Sequence, residues 1–295
     1  MSQTAIRSSL GRDRALSSAD FRRIAASIQR EAGIELPDSK RNLAQSRILK
    51  RLRHLGMTNF GDYCDFIEQP DNAAERMEML SVLTTNVTGF FREKHHFSYL
   101  DDHCIPALLR RLRGGGSVRV WSAGCSTGEE PYSIALTFLR AMPDIQRYDF
   151  KIIATDIDPS VLNYALAGEY ADDRLSAVPA DLRSAHFAAI RDEPGQFQIS
   201  PTLRKIVTIR QLNLISPWPF SRKFDVIFCR NVVIYFDAAT KTQVWQKLIA
   251  QLAPDGVLMT GHSERLSGDS VRDLDNVATT TYRTIVRDKS EEGKN

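Results

Sequence analysis

The sequence lacks the features that mark several classes of protein. No apolar run approaches the ~18 residues that a membrane-spanning helix requires, and residues 1–7 contain no apolar core of a signal peptide. The four cysteines, Cys64, Cys104, Cys125 and Cys229, form no CxxC pair. This spacing argues against a zinc framework and is typical of reduced thiols, so we expect a cytoplasmic protein.

An excess of charge of either sign is also missing. Lys and Arg number 39 and Asp and Glu number 36, so the formal net charge is only +3. This balance does not predict a nucleic-acid-binding protein, and any basic patch has to be local. With 295 residues, 42% of them hydrophobic, the chain is expected to form one large or two ordinary globular domains.

The N-terminal third is predicted to be helical. Apolar residues recur at helical spacing in four successive segments, at 17–32, about 38–55, 60–69 and 72–85. Gly56 is expected to end the second helix. The first predicted strand begins only at Val118.

The second predicted helix carries only basic charged residues on the face opposite its apolar residues. These residues are Lys40, Arg47, Lys50, Arg51, Arg53 and His54. No acidic residue lies between Lys40 and Leu55. The face is either ordinary solvated surface or a docking surface that attracts an acidic partner. A nucleic acid is less favoured because no aromatic residue is interleaved to stack on bases.

After about residue 116, predicted strands and helices alternate. Strands are expected at 118–123, 151–156, 224–231 and 257–260, helices at 132–141, 159–167 and 239–252, and a closing hairpin or edge strand at 277–287. This alternation predicts an α/β fold with a mainly parallel, doubly wound sheet. Such sheets bind ligands beyond the carboxyl ends of their strands.

A glycine-containing turn, Gly124 to Gly128, follows the first strand, and Asp156 ends the second. The pair predicts a nucleoside-like cofactor whose ribose hydroxyls bind Asp156. Three structural alternatives stay open at this stage: a tight strand-to-helix turn, a capping box of Thr127 with Glu130, and a helix cap that Asp156 shares with Asp158. Because the central glycine of G-x-G-x-x-G is missing, S-adenosylmethionine is favoured over NAD.

Five segments of the chain resemble the CheR family of chemotaxis receptor glutamate methyltransferases. They are TTNVTGFFRE at 84–93, STGEEPYSIA at 126–135, TDID at 155–158, FCRNVVIYFD at 228–237 and GHSE at 261–264. They come in the family's order and spacing. The resemblance implies an N-terminal all-helical domain and a Rossmann-like class I methyltransferase domain with a small inserted antiparallel β-subdomain. The implied boundaries are 1–85 for the helical domain, 86–116 for a linker segment and helix, 117–288 for the methyltransferase domain with its insert at about 168–212, and 289–295 for a polar tail.

The resemblance also implies the site residues. The expected cofactor contacts are Asn86, Thr88, Arg92, Gly124, Glu130, Asp156, Asn213, Leu214, Arg230 and Asn231. Of these, Arg92 and its neighbours would reach over the methionine end, Asn213 and Leu214 would line the adenine side, and Arg230 and Asn231 would close the pocket. Arg92 and Tyr235 are the expected catalytic residues, with an interdomain salt bridge and core packing beside Phe236 as their respective structural alternatives.

The implied reaction turns S-adenosylmethionine into S-adenosylhomocysteine and a receptor glutamate into its methyl ester, with no metal. The expected partners are chemoreceptor cytoplasmic domains, docked on Lys40, Arg47, Lys50, Arg51 and Arg53. The enzyme is expected to be a monomer that does not insert into the membrane. His95 and His96 are interpreted as partly exposed helix residues without a metal-ligand set, and His262 as structural.

Two features depart from the family pattern. Ser122 and Ala123 stand where many methyltransferases place an acid at the end of the first strand. Some family members grip a receptor peptide with a glycine-rich β-subdomain loop, whereas the loop at 191–195 has one glycine. Three functional alternatives stay open: a methyltransferase for another substrate, a cofactor-binding regulator without activity, and an NAD-dependent dehydrogenase.

Overall fold

The computed structural model describes residues 15–266 and 272–285. The chain divides into two compact units, of which the first extends to Thr85 and also takes in Tyr235–Asp237. The second comprises Asn86–Ile234 and the chain after Asp237. Within the described ranges, no helix has both the length and the apolar character needed to cross a membrane. The predicted tail at 289–295 lies outside the described residues.

The first unit is all-helical, as predicted. Its helices are α1 (Ser18–Ala32), α2 (Arg41–Leu55), α3 (Phe60–Glu68) and α4 (Ala73–Leu83). Ser17 caps α1 by accepting from the Asp20 N–H, and Gly33 ends it in the left-handed conformation. Gly56 ends α2 in the same way, at φ 69°. The apolar faces of these helices form the core of the unit, with Ile24 and Ile48 fully buried.

The second unit begins with helices and continues as an α/β sheet. Its helices are α5 (Lys94–Tyr99), α6 (Ile105–Arg113), α7 (Glu129–Ala141), α8 (Pro159–Ala167), α9 (Ala180–His186), α10 (Pro201–Ile206) and α11 (Ala238–Ala250). Helix α7 is buried from Glu129 to Leu139 because it packs between the sheet and other elements of the unit.

Seven strands form the main sheet, in the order β6-β2-β1-β7-β8-β10-β9. They are β1 (Ser117–Ala123), β2 (Asp149–Asp156), β6 (Val207–Gln211), β7 (Phe224–Cys229), β8 (Leu252–Thr260), β9 (Leu274–Ala278) and β10 (Thr281–Thr284). The first five in chain order pair in parallel, and the last two form the predicted antiparallel hairpin at one edge. The chain winds outward from β1 in one direction and from β7 in the other. The switch point of this doubly wound sheet therefore lies between β1 and β7.

A second, three-stranded antiparallel sheet confirms the predicted β-subdomain. Its strands are β3 (Glu169–Ala171), β4 (Phe187–Ala189) and β5 (Gln196–Ile199), in the order β3-β5-β4. The predicted insert at 168–212 is too long, because β6 pairs in parallel with β2 in the main sheet. Val207 and Ile209 are buried on that strand, so hydrophobic burial places it with the larger core.

Candidate active site

The turn after β1 is held against the end of β2. The N–H groups of Gly124 and Cys125 both donate to the Thr155 carbonyl, at 2.7 and 2.9 Å. Gly124 and Gly128 have φ angles of 80° and 96°, where glycine is favoured. A Cβ at Gly124 would overlap Val232 Cγ2, and one at Gly128 would lie 2.8 Å from Tyr170 Oη. The turn is thus tight, as the structural alternative requires, and also stands at the switch point.

Asp156 lies at the carboxyl end of β2, beside this turn. Its Oδ2 accepts from Ser126 N at 2.8 Å and its Oδ1 from Asp158 N at 3.1 Å. A carboxylate has about four acceptor sites on its two oxygens, so it can also accept from ribose hydroxyls. Burial raises the pKa of Asp156. Asp158, and not Asp156, caps α8 through Ser160 N, so the shared-cap alternative is wrong.

Asn86 ties the start of the second unit to these residues. Its Nδ2 donates to Asp158 Oδ2 at 3.0 Å, and its carbonyl accepts from Ser126 Oγ at 3.0 Å. Arg92, six residues later, is exposed and donates from Nη1 to the Val87 carbonyl at 2.8 Å. Thr88 is half-buried between them. The predicted segment therefore lies at the same end of the sheet as Asp156.

Asn213 and Leu214 follow β6 on the other flank of Asp156. The Leu212 N–H donates to the Asp156 carbonyl at 2.9 Å. Asn213 Oδ1 accepts from Ile215 N, and Lys247 Nζ donates to the Leu214 carbonyl. The structure therefore brings these two residues to the same strand end as Asp156.

Glu130 has a different role from the capping box considered for it. Gly128 is the N-cap of α7 and offers no side chain, and Thr127 Oγ1 bonds Glu129 instead. The buried Glu130 carboxylate accepts from Ser122 Oγ and from Arg230 Nε, both at 2.7 Å. Strand β1 has no acidic residue at its end. The Glu130 carboxylate from α7 instead binds Ser122 on that strand.

Arg230, which the resemblance places at the closed end of the cofactor pocket, binds other protein groups with its guanidinium. The side chain is buried, and besides Glu130 it donates from Nη1 to the Arg92 carbonyl at 2.6 Å. The guanidinium carbon lies 5.5 and 5.6 Å from the ring centroids of Phe97 and Phe228. A buried cation needs such partners, so Arg230 links the β7 end to the segment that carries Arg92.

The exposed-helix interpretation of His96 is wrong, whereas His95 is exposed as expected. His96 is fully buried, its Nδ1 lies 3.2 Å from Arg230 Nη1, and its Nε2 lies 2.9 Å from Thr280 Oγ1. Burial, and next the charge of Arg230, lower its pKa to about 3. Because arginine only donates, the neutral ring accepts at Nδ1.

The expectation that His95 and His96 belong to no potential metal-ligand set is wrong. Glu93, His95 and His96 each offer a ligand atom within 4.8 Å of the others. Arg230 Nη1 lies 3.7 Å from Glu93 Oε2 as well as close to His96 Nδ1. The Arg230 guanidinium thus already supplies a positive charge beside two of the three potential ligand atoms.

Asn231 and Tyr235 follow β7 but belong to different units. Asn231 adopts a left-handed conformation, φ 60°, and its N–H donates to Glu264 Oε2 at 2.7 Å. Tyr235 is clustered with the helical unit, where its carbonyl accepts from Glu35 N at 2.8 Å. Tyr235 therefore belongs to the first unit, whereas Asp156 belongs to the second. The catalytic role of Tyr235 stays a prediction.

The basic face of α2 is smaller than the sequence predicts. Arg47 Nη1 donates to the carbonyls of Val82 and Thr84, and Arg51 forms an ion pair with the buried Glu75. These two residues therefore stabilise the helical unit itself. The predicted docking residues that remain exposed are Lys40, Lys50 and Arg53. Lys50 and Arg53 border a shallow depression of about 330 Å³.

Sequence reasoning missed the chemistry of Ser122, Tyr170 and Glu264. Tyr170 Oη donates to the Thr127 carbonyl at 2.7 Å and so connects β3 to the glycine turn. Glu264 accepts several backbone N–H groups after β7. Glu264 lies in the family-like segment GHSE, which marks it as a residue of interest. Helix and strand patterns, however, do not predict which loop a carboxylate binds.

Comparison with known families matches both units. Residues 86–283 match the family described as "CheR methyltransferase, SAM binding domain", and residues 19–84 match "CheR methyltransferase, all-alpha domain". Among solved structures, the glycopeptide N-methyltransferase MtfA is similar at a TM-score of 0.32 and 15% identity, over 59% of this chain and 50% of that one. A similarity of that size carries no functional argument.

Curated relatives are similar over most of their length. A probable chemotaxis protein methyltransferase of Rhizobium etli is 49% identical over 257 residues, which are 87% of this chain and 96% of the relative. The chemotaxis protein methyltransferase of Escherichia coli is 40% identical, over 86% of each chain. That of Borreliella burgdorferi is 37% identical, over 90% of this chain and 93% of the relative.

Proposed function

Because the chain belongs to the CheR methyltransferase family and is an S-adenosylmethionine-dependent methyltransferase of chemotaxis, we propose that it methylates glutamate side chains of chemoreceptor cytoplasmic helices. The product is a γ-glutamyl methyl ester. The observation that carries the assignment is the family match across both units, together with the half-buried Asp156 carboxylate beside the glycine turn at the switch point.

The described residues fit the cofactor. Asp156 offers carboxylate oxygens next to backbone groups of the glycine turn, which suits a ribose without a phosphate. Asn86, Thr88 and Arg92 are proposed to enclose the methionine end, Asn213 and Leu214 the adenine side, and Asn231 the far wall. Glu130 and Arg230 are assigned to positioning, since their charged groups bind each other. S-adenosylmethionine supplies an electrophilic methyl group when bound.

The reaction needs no general base. A glutamate with pKa about 4.3 is ionised in all but roughly 1 of 500 molecules at pH 7. Its oxygen forms the bond to the methyl carbon while the carbon–sulfur bond breaks and its electron pair stays on sulfur. Charge is lost in this step, so the protein contributes alignment and exclusion of water, not a strong clamp on the carboxylate.

The exposed cations Lys40, Lys50 and Arg53 are proposed to dock the receptor. Helices that carry several glutamates present an acidic surface, and complementary charge speeds encounter and orients the partners. Docking of this kind places a cytoplasmic enzyme at membrane receptors without inserting it into the bilayer.

Methyl-labelled S-adenosylmethionine and chemoreceptor-containing membranes test the proposal. We expect label in receptor-sized protein that mild base releases as methanol, and no transfer to receptors whose methylatable glutamates are replaced by alanine. Base-stable label would show nitrogen or carbon methylation and contradict the ester. Absence of transfer, with S-adenosylhomocysteine binding intact by calorimetry, would contradict the receptor substrate while leaving the cofactor site standing.

A further inference from the structure

One carboxylate, that of Glu264, binds five backbone N–H groups. Oε1 accepts from Val232, Val233 and Ile234 at 2.9, 2.7 and 3.2 Å, and Oε2 accepts from Asn231 and Gly261, both at 2.7 Å. The residue is 4% exposed. Four of the five donors are consecutive in sequence, and they converge on one side of the chain.

Successive N–H groups that converge in this way form an anion-binding concavity. A carboxylate satisfies it from within the protein, because its two oxygens offer about four lone-pair sites and the bonds are charge-assisted. The fit is close on both sides. Asn231 holds φ 60°, which side-chain-bearing residues seldom adopt, and a Cβ at Gly261 would lie 2.6 Å from Asn231 N.

The segment that Glu264 binds lies directly against the glycine turn. The side chain of Val232 occupies the space that a Cβ at Gly124 would need. Gly124 and the next residue, Cys125, are in turn bonded to the Thr155 carbonyl, one residue before Asp156. A continuous path of contacts therefore runs from Glu264 through Val232 to the turn beside the ribose-binding carboxylate.

We propose that Glu264 is a positioning residue for the cofactor site, acting through Asn231 and Val232 on the glycine turn. Its oxygens are used by backbone N–H groups, so it touches neither cofactor nor substrate. The inference rests on the proposed function only where turnover is measured, because that measurement needs the proposed glutamate substrate. Binding of S-adenosylhomocysteine needs no methyl acceptor, so failure of the glutamate substrate would leave the binding test intact.

The variant Glu264→Gln tests this assignment. The amide of the new glutamine places an NH₂ group at the position of either Oε1 or Oε2. Oε1 has three backbone N–H partners and Oε2 has two, so the NH₂ group faces at least two donors in either orientation. We expect the Kd for S-adenosylhomocysteine to rise tenfold or more by calorimetry, at a temperature where circular dichroism shows full folding. Glu264→Asp, which keeps the charge, should restore part of the affinity.

Glu75→Gln is the matched control. Glu75 is also a buried carboxylate, bonded to Arg51 and to Tyr63, but it lies in the helical unit. Its replacement should lower thermal stability and leave the Kd unchanged. A folded Glu264→Gln protein with wild-type Kd and turnover would overturn the proposal.

A second variant keeps the test decisive if Glu264→Gln does not fold. Val232→Ala retains the backbone donors and removes the side chain that packs on Gly124. A fivefold or larger rise in Kd, with the unfolding midpoint near wild type, would support the proposed path. Wild-type Kd in a folded Val232→Ala protein would overturn it.

Discussion

The side chains of Glu130 and Arg230 form a buried ion pair, with Nε 2.7 Å from Oε2. Glu130 comes from the first turn of α7 and Arg230 directly follows β7. Since α7 follows β1, the pair joins the two halves of the sheet at the switch point. Ser122 on β1 and the Arg92 carbonyl complete the network.

Arg230→Met should destabilise the protein strongly. It leaves the Glu130 carboxylate buried without its cation, and breaking such a pair costs about 3–5 kcal/mol. Urea unfolding measures the change. Arg23→Met, which breaks surface pairs with Asp65 and Glu68, is the control and should cost about 1 kcal/mol or less. Equal losses in the two variants would contradict the structural role of Arg230.

Asp156→Asn should weaken binding of S-adenosylhomocysteine. Hydrogen bonds to a charged group contribute about 1.5–3 kcal/mol, which corresponds to roughly 10- to 100-fold in Kd. Calorimetry measures the effect. Asp181→Asn, on the surface of α9, is the matched control and should bind normally. An Asp156→Asn protein with wild-type Kd would mean that the ribose binds elsewhere.

Arg92→Ala and Tyr235→Phe should separate binding from turnover. Loss of the Arg92 guanidinium is expected to raise the Kd for S-adenosylmethionine, since the fork can pair with the cofactor carboxylate. Loss of the Tyr235 hydroxyl is expected to lower kcat with little change in Kd. Calorimetry and single-turnover methyl transfer distinguish the two effects. Unchanged affinity in the first variant, or an unchanged maximal rate in the second, would contradict the respective role.

His96 should make the protein less stable below neutral pH. Its folded-state pKa of about 3 lies below the ordinary value of 6.5. Between these two pH values the histidine is protonated in the unfolded chain but neutral in the folded chain. The neutral ring therefore gives full stability above pH 6.5, and stability falls as pH drops towards 3. The groups around the ring are Arg230, His95, Glu93 and Thr280.

The size of this effect follows from linkage. The loss from one such histidine is about 2 kcal/mol at pH 5 relative to pH 8. Urea unfolding of wild type and His96→Gln over this range measures it, and the variant should show a shallower dependence. His54→Gln, on the exposed face of α2, is the control for replacing a histidine at the surface. Parallel curves for wild type and His96→Gln would contradict the assignment.

Charge reversal at Lys50 and Arg53 should impair receptor methylation and spare cofactor binding. Both side chains are exposed, and steering by exposed charge weakens as salt rises. We expect about tenfold lower kcat/KM at low ionic strength and a smaller difference at 0.5 M salt. Arg51→Glu is the contrasting variant, because it disrupts the pair with buried Glu75 and should lower the free energy of unfolding. Methylation at the wild-type rate by the variant with both Lys50 and Arg53 reversed in charge would contradict the proposal that α2 is the docking surface.

Local patterns were sufficient for most of the architecture. The predicted helix at 159–167 has the bounds observed for α8, and the strand ending on Asp156 ends there in the structure. Periodicity, caps and turn residues act within a few positions of the chain, so they are readable without tertiary contacts. The position of the switch point required the observed strand order, which places Asp156 and the glycine turn together.

By itself, then, the sequence determined the element types, the family and the strand ends that carry the site. Tertiary structure decided which polar groups are free. It paired Arg51 with Glu75, Glu130 with Arg230 and Glu264 with a loop 30 residues away. The physical reason is that a buried charge must find its partner in space, and the element that supplies the partner is known only once the chain has packed.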